Sequence, residues 1–112
     1  MNLLTAACTP NAPALDEAAI AVYLAELPGW VHQDNALQLT LQFDNFREVM
    51  DYANAVAEIA EGQDHHPDMI LSYRVATVRF CTHSAGGRVS LNDVICAAQL
   101  SHLPEALLGT RV

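Results

Sequence analysis

The clearest pattern along the chain is an alternation. Leu37, Leu39, Leu41 and Phe43 are apolar, and Gln38, Thr40 and Gln42 between them are polar. Successive side chains of a strand point to opposite faces, so this period of two predicts a strand with one buried and one wet face. Trp30 to Gln33 just before it is short and strand-like, and Asp34-Asn35 between the two is a turn signal. A second alternation follows later. Ala76, Val78, Phe80 and Thr82 interleave with Thr77, Arg79, Cys81 and His83. This predicts a strand over Val75 to Thr82 with His83 on the more polar face at its end. Met69 to Tyr73 predicts its neighbour, with a tight turn near Arg74.

Three other stretches carry helical spacing. The first begins at Leu15, with Asp16 and Glu17 where acidic residues favour a helix N-terminus, and Val22 on its apolar side. Pro28-Gly29 stops it. The second begins at Asp44 or Asn45, and Asn45 with Glu48 has capping-box spacing. Its apolar stripe is Phe46, Val49, Met50, Ala53, Val56, Ala57 and Ala60, and Gly62 is a natural stop. The third is capped by Ser90 and carries Leu91, Val94, Ile95, Ala98 and His102 on one side. The order α-β-β-α-β-β-α, with short turns inside each strand pair, predicts antiparallel pairing. Helices over one face of the sheet would make a two-layer α+β domain. Residues 1–13 hold Pro10, Asn11 and Pro13 and no apolar period. They read as a flexible leader, and 14–112 as a single domain.

Composition narrows the class. The 112 residues suit one domain, and 52% apolar with 16% charged residues is a globular balance. The net charge is −8, there is no lysine, and the five arginines are scattered. No basic cluster is present to release counterions from nucleic acid or to meet an anionic membrane. No apolar stretch approaches the roughly 18 residues of a membrane span, and a signal peptide's basic and apolar regions are missing. Cys8, Cys81 and Cys96 are odd in number, widely spaced and without a C-x-x-C pair. Reduced thiols in a cytoplasmic protein are expected.

The polar residues with chemical potential gather between Glu61 and Asp93. Pro67 locks the backbone just after the His65-His66 pair, and His83 and Asp93 follow. Imidazole titrates near pH 6.5 and both gives and takes protons at neutral pH. Converging histidines suit a reaction that needs an acid and a base together, such as a dehydration. A zinc site from His65, His66, His83 and Asp93 is disfavoured: adjacent histidines in extended backbone point apart, and the helical H-E-x-x-H spacing is absent. Ser90-x-x-Asp93 is also a helix-start pattern. Tyr73 in a strand reads as a packing residue or a wall. Cys81, with no basic neighbour in sequence, reads as an unreactive thiol.

The spacing Glu61-x3-His65-His66-Pro67-x5-Tyr73-x9-His83-x9-Asp93 resembles the signature of the pterin-4a-carbinolamine dehydratases. Thr82-His83-Ser84-Ala85-Gly86-Gly87, Asn92-Asp93 and Pro28-Gly29-Trp30 are similar to bacterial members as well. The resemblance covers roughly Leu15 to Leu103. Met69 departs from it, because many relatives have tryptophan two residues after the motif proline. The resemblance implies a four-stranded antiparallel sheet with three helices on one face. It also implies dehydration of 4a-hydroxytetrahydrobiopterin to quinonoid dihydropterin plus water, without metal or cofactor. This recycles the cofactor of aromatic amino-acid hydroxylases. By motif position, His65 and His83 would be the acid–base pair, His66 and Asp93 would complete the catalytic group, and His66 would also bind and orient the pterin. Glu61, Pro67, Thr82 and Ser84 would border the substrate with His66. Family members form homodimers and homotetramers. Some relatives are silent protein-binding factors, including a RuBisCO assembly factor, which is the alternative reading of this chain.

Overall fold

Asp34 and Asn35 both take left-handed backbone conformations, with φ of 52° and 64°. A two-residue type I′ hairpin turn needs positive φ at both central positions, and short polar Asp and Asn tolerate it. In the computed structural model, which describes all 112 residues, this turn joins β1 (Val31–Gln33) to β2 (Ala36–Gln42), with Gln33 opposite Ala36. β2 pairs from Leu37 to Gln42 with β4 (Val75–Phe80), and β4 pairs with β3 (Asp68–Leu71), all antiparallel. The order across the sheet is β1-β2-β4-β3. β1 leaves the far end of β2 uncovered. A fifth strand, β5 (Thr110–Arg111), pairs there with Leu41 and Gln42.

Both alternations take the faces expected of them. Leu37, Leu39, Leu41, Ala76, Val78 and Phe80 are buried. On the opposite face the hydroxyls of Thr40 and Thr77 meet across the strands at 3.2 Å. Three helices pack on the buried side: α1 (Glu17–Leu24), α2 (Phe46–Gln63) and α3 (Leu91–Ser101). The core they close contains Ile20, Trp30, Val49, Tyr52, Val56, Val94 and Leu100. The fold is thus α+β, with the four expected strands and a short fifth.

Several local expectations need correcting. Phe46 and Val22 are exposed. The buried stripe of α2 runs through Val49, Tyr52, Ala53, Val56 and Ala60, rotated toward Tyr52. In α1 only Ile20 is buried. α2 continues past Gly62 to Gln63 and ends at Asp64, which is left-handed at φ 49°. His65 N–H then donates to the Ala60 carbonyl and Asp64 N–H to that of Glu61. This is the Schellman pattern, with Asp in the place glycine usually fills. β3 stops at Leu71, and Tyr73 lies in the following turn, 64% exposed, with Arg74 5.2 Å from its ring centre. It is neither core nor wall.

The segment 1–13, read as a flexible leader, lies against the domain. Gln63 accepts from Cys8 N–H and donates to the Ala6 carbonyl, at 2.8 and 3.0 Å. Asn92 holds Thr9 twice, accepting from its N–H at 3.0 Å and donating to its carbonyl at 2.8 Å. Gln99 donates to the carbonyls of Leu3 and Ala6. Ala12 is buried.

Candidate active site

A cleft of about 600 Å³ opens where the end of α2, the loop after β4 and the start of α3 meet. His65, His66, Pro67, Thr82, His83 and Ser84 all line it. Glu61 and Asp93 do not border it, but each grips a histidine that does.

The loop 64–67 presents the first two histidines. The Schellman turn at Asp64 throws the chain out of α2, and Pro67 fixes it again before β3. His65 turns inward and stacks on the buried Phe80 ring, with centroids 5.7 Å apart and planes 18° apart. His66 turns outward and pairs with Glu61 at 2.6 Å, both largely exposed. Adjacent histidines therefore point apart. No group of three or more His, Cys, Asp or Glu side chains converges as metal ligands would.

His65 is held by a buried carboxylate. Its Nε2 lies 2.6 Å from Asp93 Oδ1, and Asp93 is fully buried. A carboxylate only accepts, so the facing ring nitrogen carries the proton and Nδ1 is left as the free acceptor of the neutral ring. The second oxygen, Oδ2, accepts from Thr82 Oγ–H and from Ser90 N–H, each at 2.8 Å. Ser90 Oγ–H in turn donates to Thr82 Oγ1 at 2.6 Å and accepts from Asn92 N–H. Ser90 and Asp93 form a capping box at the start of α3. Three donors and the positive end of a helix offset the burial of this charge. The hydrogen bond to Asp93 raises the pKa of His65, outweighing burial, which lowers it.

His83 arrives differently. β4 stops at Phe80, not Thr82, and Thr82 forms an isolated antiparallel bridge with Arg88 instead. His83 opens a short 3-10 turn, His83–Ala85, closed by left-handed Gly86. It is exposed at the cleft, beyond the strand end where the sequence placed it.

Three of the expected site residues are engaged away from the cleft surface, Glu61 among them, which lies outside the lining and pairs with His66. Asp93 is fully buried and has no surface from which to touch a ligand. The hydroxyl of Thr82 is committed to Ser90 and Asp93. Sequence reading missed a further part of the cleft lining, Cys8, Thr9, Pro10 and Asn11, from the segment read as a leader. Asn92, beside a recognised acidic residue, was the one available hint.

The family model described as pterin 4 alpha carbinolamine dehydratase matches residues 13–103. A "Putative pterin-4-alpha-carbinolamine dehydratase" of Chromobacterium violaceum is 44% identical over 106 residues, covering 92% of this chain and 96% of that one. One of the same name in Stenotrophomonas maltophilia is 44% identical over 110 residues, covering 94% of each. The crystal structure of a transcriptional coactivator/pterin dehydratase from Brucella melitensis superposes with a TM-score of 0.75 at 28% identity, over 86% of this chain and 99% of that chain. With nearly the whole domain matched, the chain belongs to the pterin 4 alpha carbinolamine dehydratase family.

Proposed function

We propose that the chain dehydrates 4a-hydroxytetrahydrobiopterin, giving quinonoid dihydropterin and water. The observation that supports this most is the meeting of His65, His66 and His83 at one cleft, with one imidazole oriented by a buried carboxylate. The reaction breaks the C4a–O bond and removes the N5 proton. An acid at the hydroxyl and a base at N5 together avoid both a hydroxide leaving group and a cationic intermediate.

In this reading His65 is the acid. Its raised pKa keeps more of it protonated near neutral pH, and the leaving hydroxyl takes its proton and departs as water. His83, exposed at the cleft, takes the N5 proton. His66, held by Glu61, orients the ring, with Pro67 and Ser84 as bordering surface. Asp93 is a positioning residue that fixes the His65 ring and favours its charged form. The direct test is dehydration of the carbinolamine generated in situ, compared across wild type, His65→Ala and His83→Ala. Both variants should be slow, and near-wild-type rates in both would remove this assignment.

The product serves cofactor recycling for aromatic amino-acid hydroxylases, and the protein works in the cytoplasm. No helix is long and apolar enough to cross a membrane. β3 forms a sheet edge with Ile70 and Leu71 exposed on it, which supports a homo-oligomer. A second reading, as a protein-binding factor, draws on the coactivator in the Brucella protein's title. Retention of the three cleft histidines favours the enzyme.

A further inference from the structure

The thiols of Cys8 and Cys96 face each other at 3.8 Å. Cys8 lines the cleft, while Cys96 lies fully buried in α3 behind it. Neither has a part in the proposed reaction, and the geometry is that of a front thiol backed by a second. The backbone around Cys8 is fixed on both sides, by Gln63 at Cys8 N–H and by the double clamp of Asn92 on Thr9. Cys8 Sγ–H also donates to the Asn92 carbonyl at 3.6 Å, so these clamps and that bond together hold the two sulfurs in contact.

Their acidities differ in a useful direction. The hydrogen bond from Cys96 lowers the pKa of Cys8, with His65 nearby adding to the effect and burial opposing it. Donating that bond, together with burial, pushes Cys96 up. Cys81 also reaches the cleft, but burial raises its pKa. A thiolate, not a thiol, attacks peroxides.

We propose that Cys8 and Cys96 form a peroxide-responsive dithiol, in which Cys8 meets a hydroperoxide entering the cleft and Cys96 closes a disulfide onto it. With hydrogen peroxide, the Cys8 thiolate attacks one oxygen. An S–O bond forms, the O–O bond breaks, and hydroxide leaves. The Cys96 thiol then attacks the Cys8 sulfur, so that an S–S bond forms and the S–O bond breaks. The hydroxide of the first step takes the proton lost by Cys8, and the hydroxyl displaced in the second takes the Cys96 proton, so both leave as water. Overall two thiols and one peroxide give one disulfide and two waters, with sulfur oxidised and peroxide oxygen reduced. The disulfide would tie the cleft wall at residues 8–11 covalently to α3. Nothing in this step depends on the pterin reading.

The test is to expose the full chain to hydrogen peroxide, block remaining thiols with an alkylating agent, and map the peptides by mass. Free thiols should fall from three to one, with Cys8 and Cys96 in one cross-linked peptide from monomeric protein and Cys81 alkylated. Dithiothreitol should restore all three. In Cys96→Ser, dimedone should trap Cys8 as the sulfenic acid. Oxidation confined to Cys81, a link only between chains, or Cys8 and Cys96 both left free would overturn the proposal. The wild-type map decides the matter even if the variant fails to fold.

Discussion

The carboxylate of Asp93 joins two structures at once: Oδ1 lies 2.6 Å from His65 Nε2, and Oδ2 accepts the Ser90 N–H that opens α3. One buried side chain thus couples the aim of an imidazole to the first turn of a helix. Removing it strands three donors in the interior, from His65, Thr82 and Ser90. Asp93→Ala should cost about 3–5 kcal/mol, the range for breaking a buried charged network. Asp93→Asn keeps the volume and should fold better, yet turn over slowly because the His65 ring loses its anionic partner. Urea denaturation with parallel rate measurements separates the two effects.

The same pair gives stability a pH dependence. The folded-state pKa of His65 lies above its ordinary 6.5, so the native protein binds the proton more tightly than the unfolded chain. The resulting stabilisation is fully present below about pH 6.5 and is lost as pH rises through the folded-state value. Melting temperatures of wild type and His65→Gln, measured from about pH 6 to pH 9, should differ most at the acid end and converge upward. A difference that widens with rising pH would contradict the raised pKa.

His83 offers the cleanest separation of chemistry from folding. It is exposed and opens a short turn at the cleft. His83→Ala should leave stability within about 0.5 kcal/mol, as for ordinary surface changes. Turnover should fall by about 10²–10⁴, the usual contribution of a general acid or base. Chemical denaturation and the dehydration assay on one preparation check both halves.

The wall at residues 8–11 depends on Asn92, whose side chain clamps Thr9 through two hydrogen bonds. Asn92→Ala should release this wall. KM should rise more than kcat falls, because the histidines keep their own supports. Hydrogen exchange at the amides of residues 8–11 should quicken in the same variant. An unchanged KM would show that the wall does not contact substrate.

Much of this was readable in the chain, and the exceptions have physical causes. The β2 and β4 alternations are long enough to declare their faces, and Asp34-Asn35 names its own turn. The capping pattern at Ser90 and Asp93 is local, so it was visible. Its second use, holding His65, joins residues 28 apart and lies outside that local pattern. The segment 1–13 carries no periodicity because amide side chains of Gln63, Asn92 and Gln99 hold its backbone, and such contacts leave no apolar signature. β5 has two residues, too few for any period. The strand before His83 ended early, with Thr82 bridged to Arg88 instead, a choice that alternation alone does not encode.

The most direct test of the central claim is dehydration of 4a-hydroxytetrahydrobiopterin, generated in situ and followed by ultraviolet absorbance, with wild type and His65→Ala side by side. The expected result is a clear acceleration by wild type that a chelator does not reduce and that His65→Ala loses while remaining folded. Well-folded wild-type protein that leaves the spontaneous rate unchanged would contradict the enzyme reading and favour a role in binding another protein.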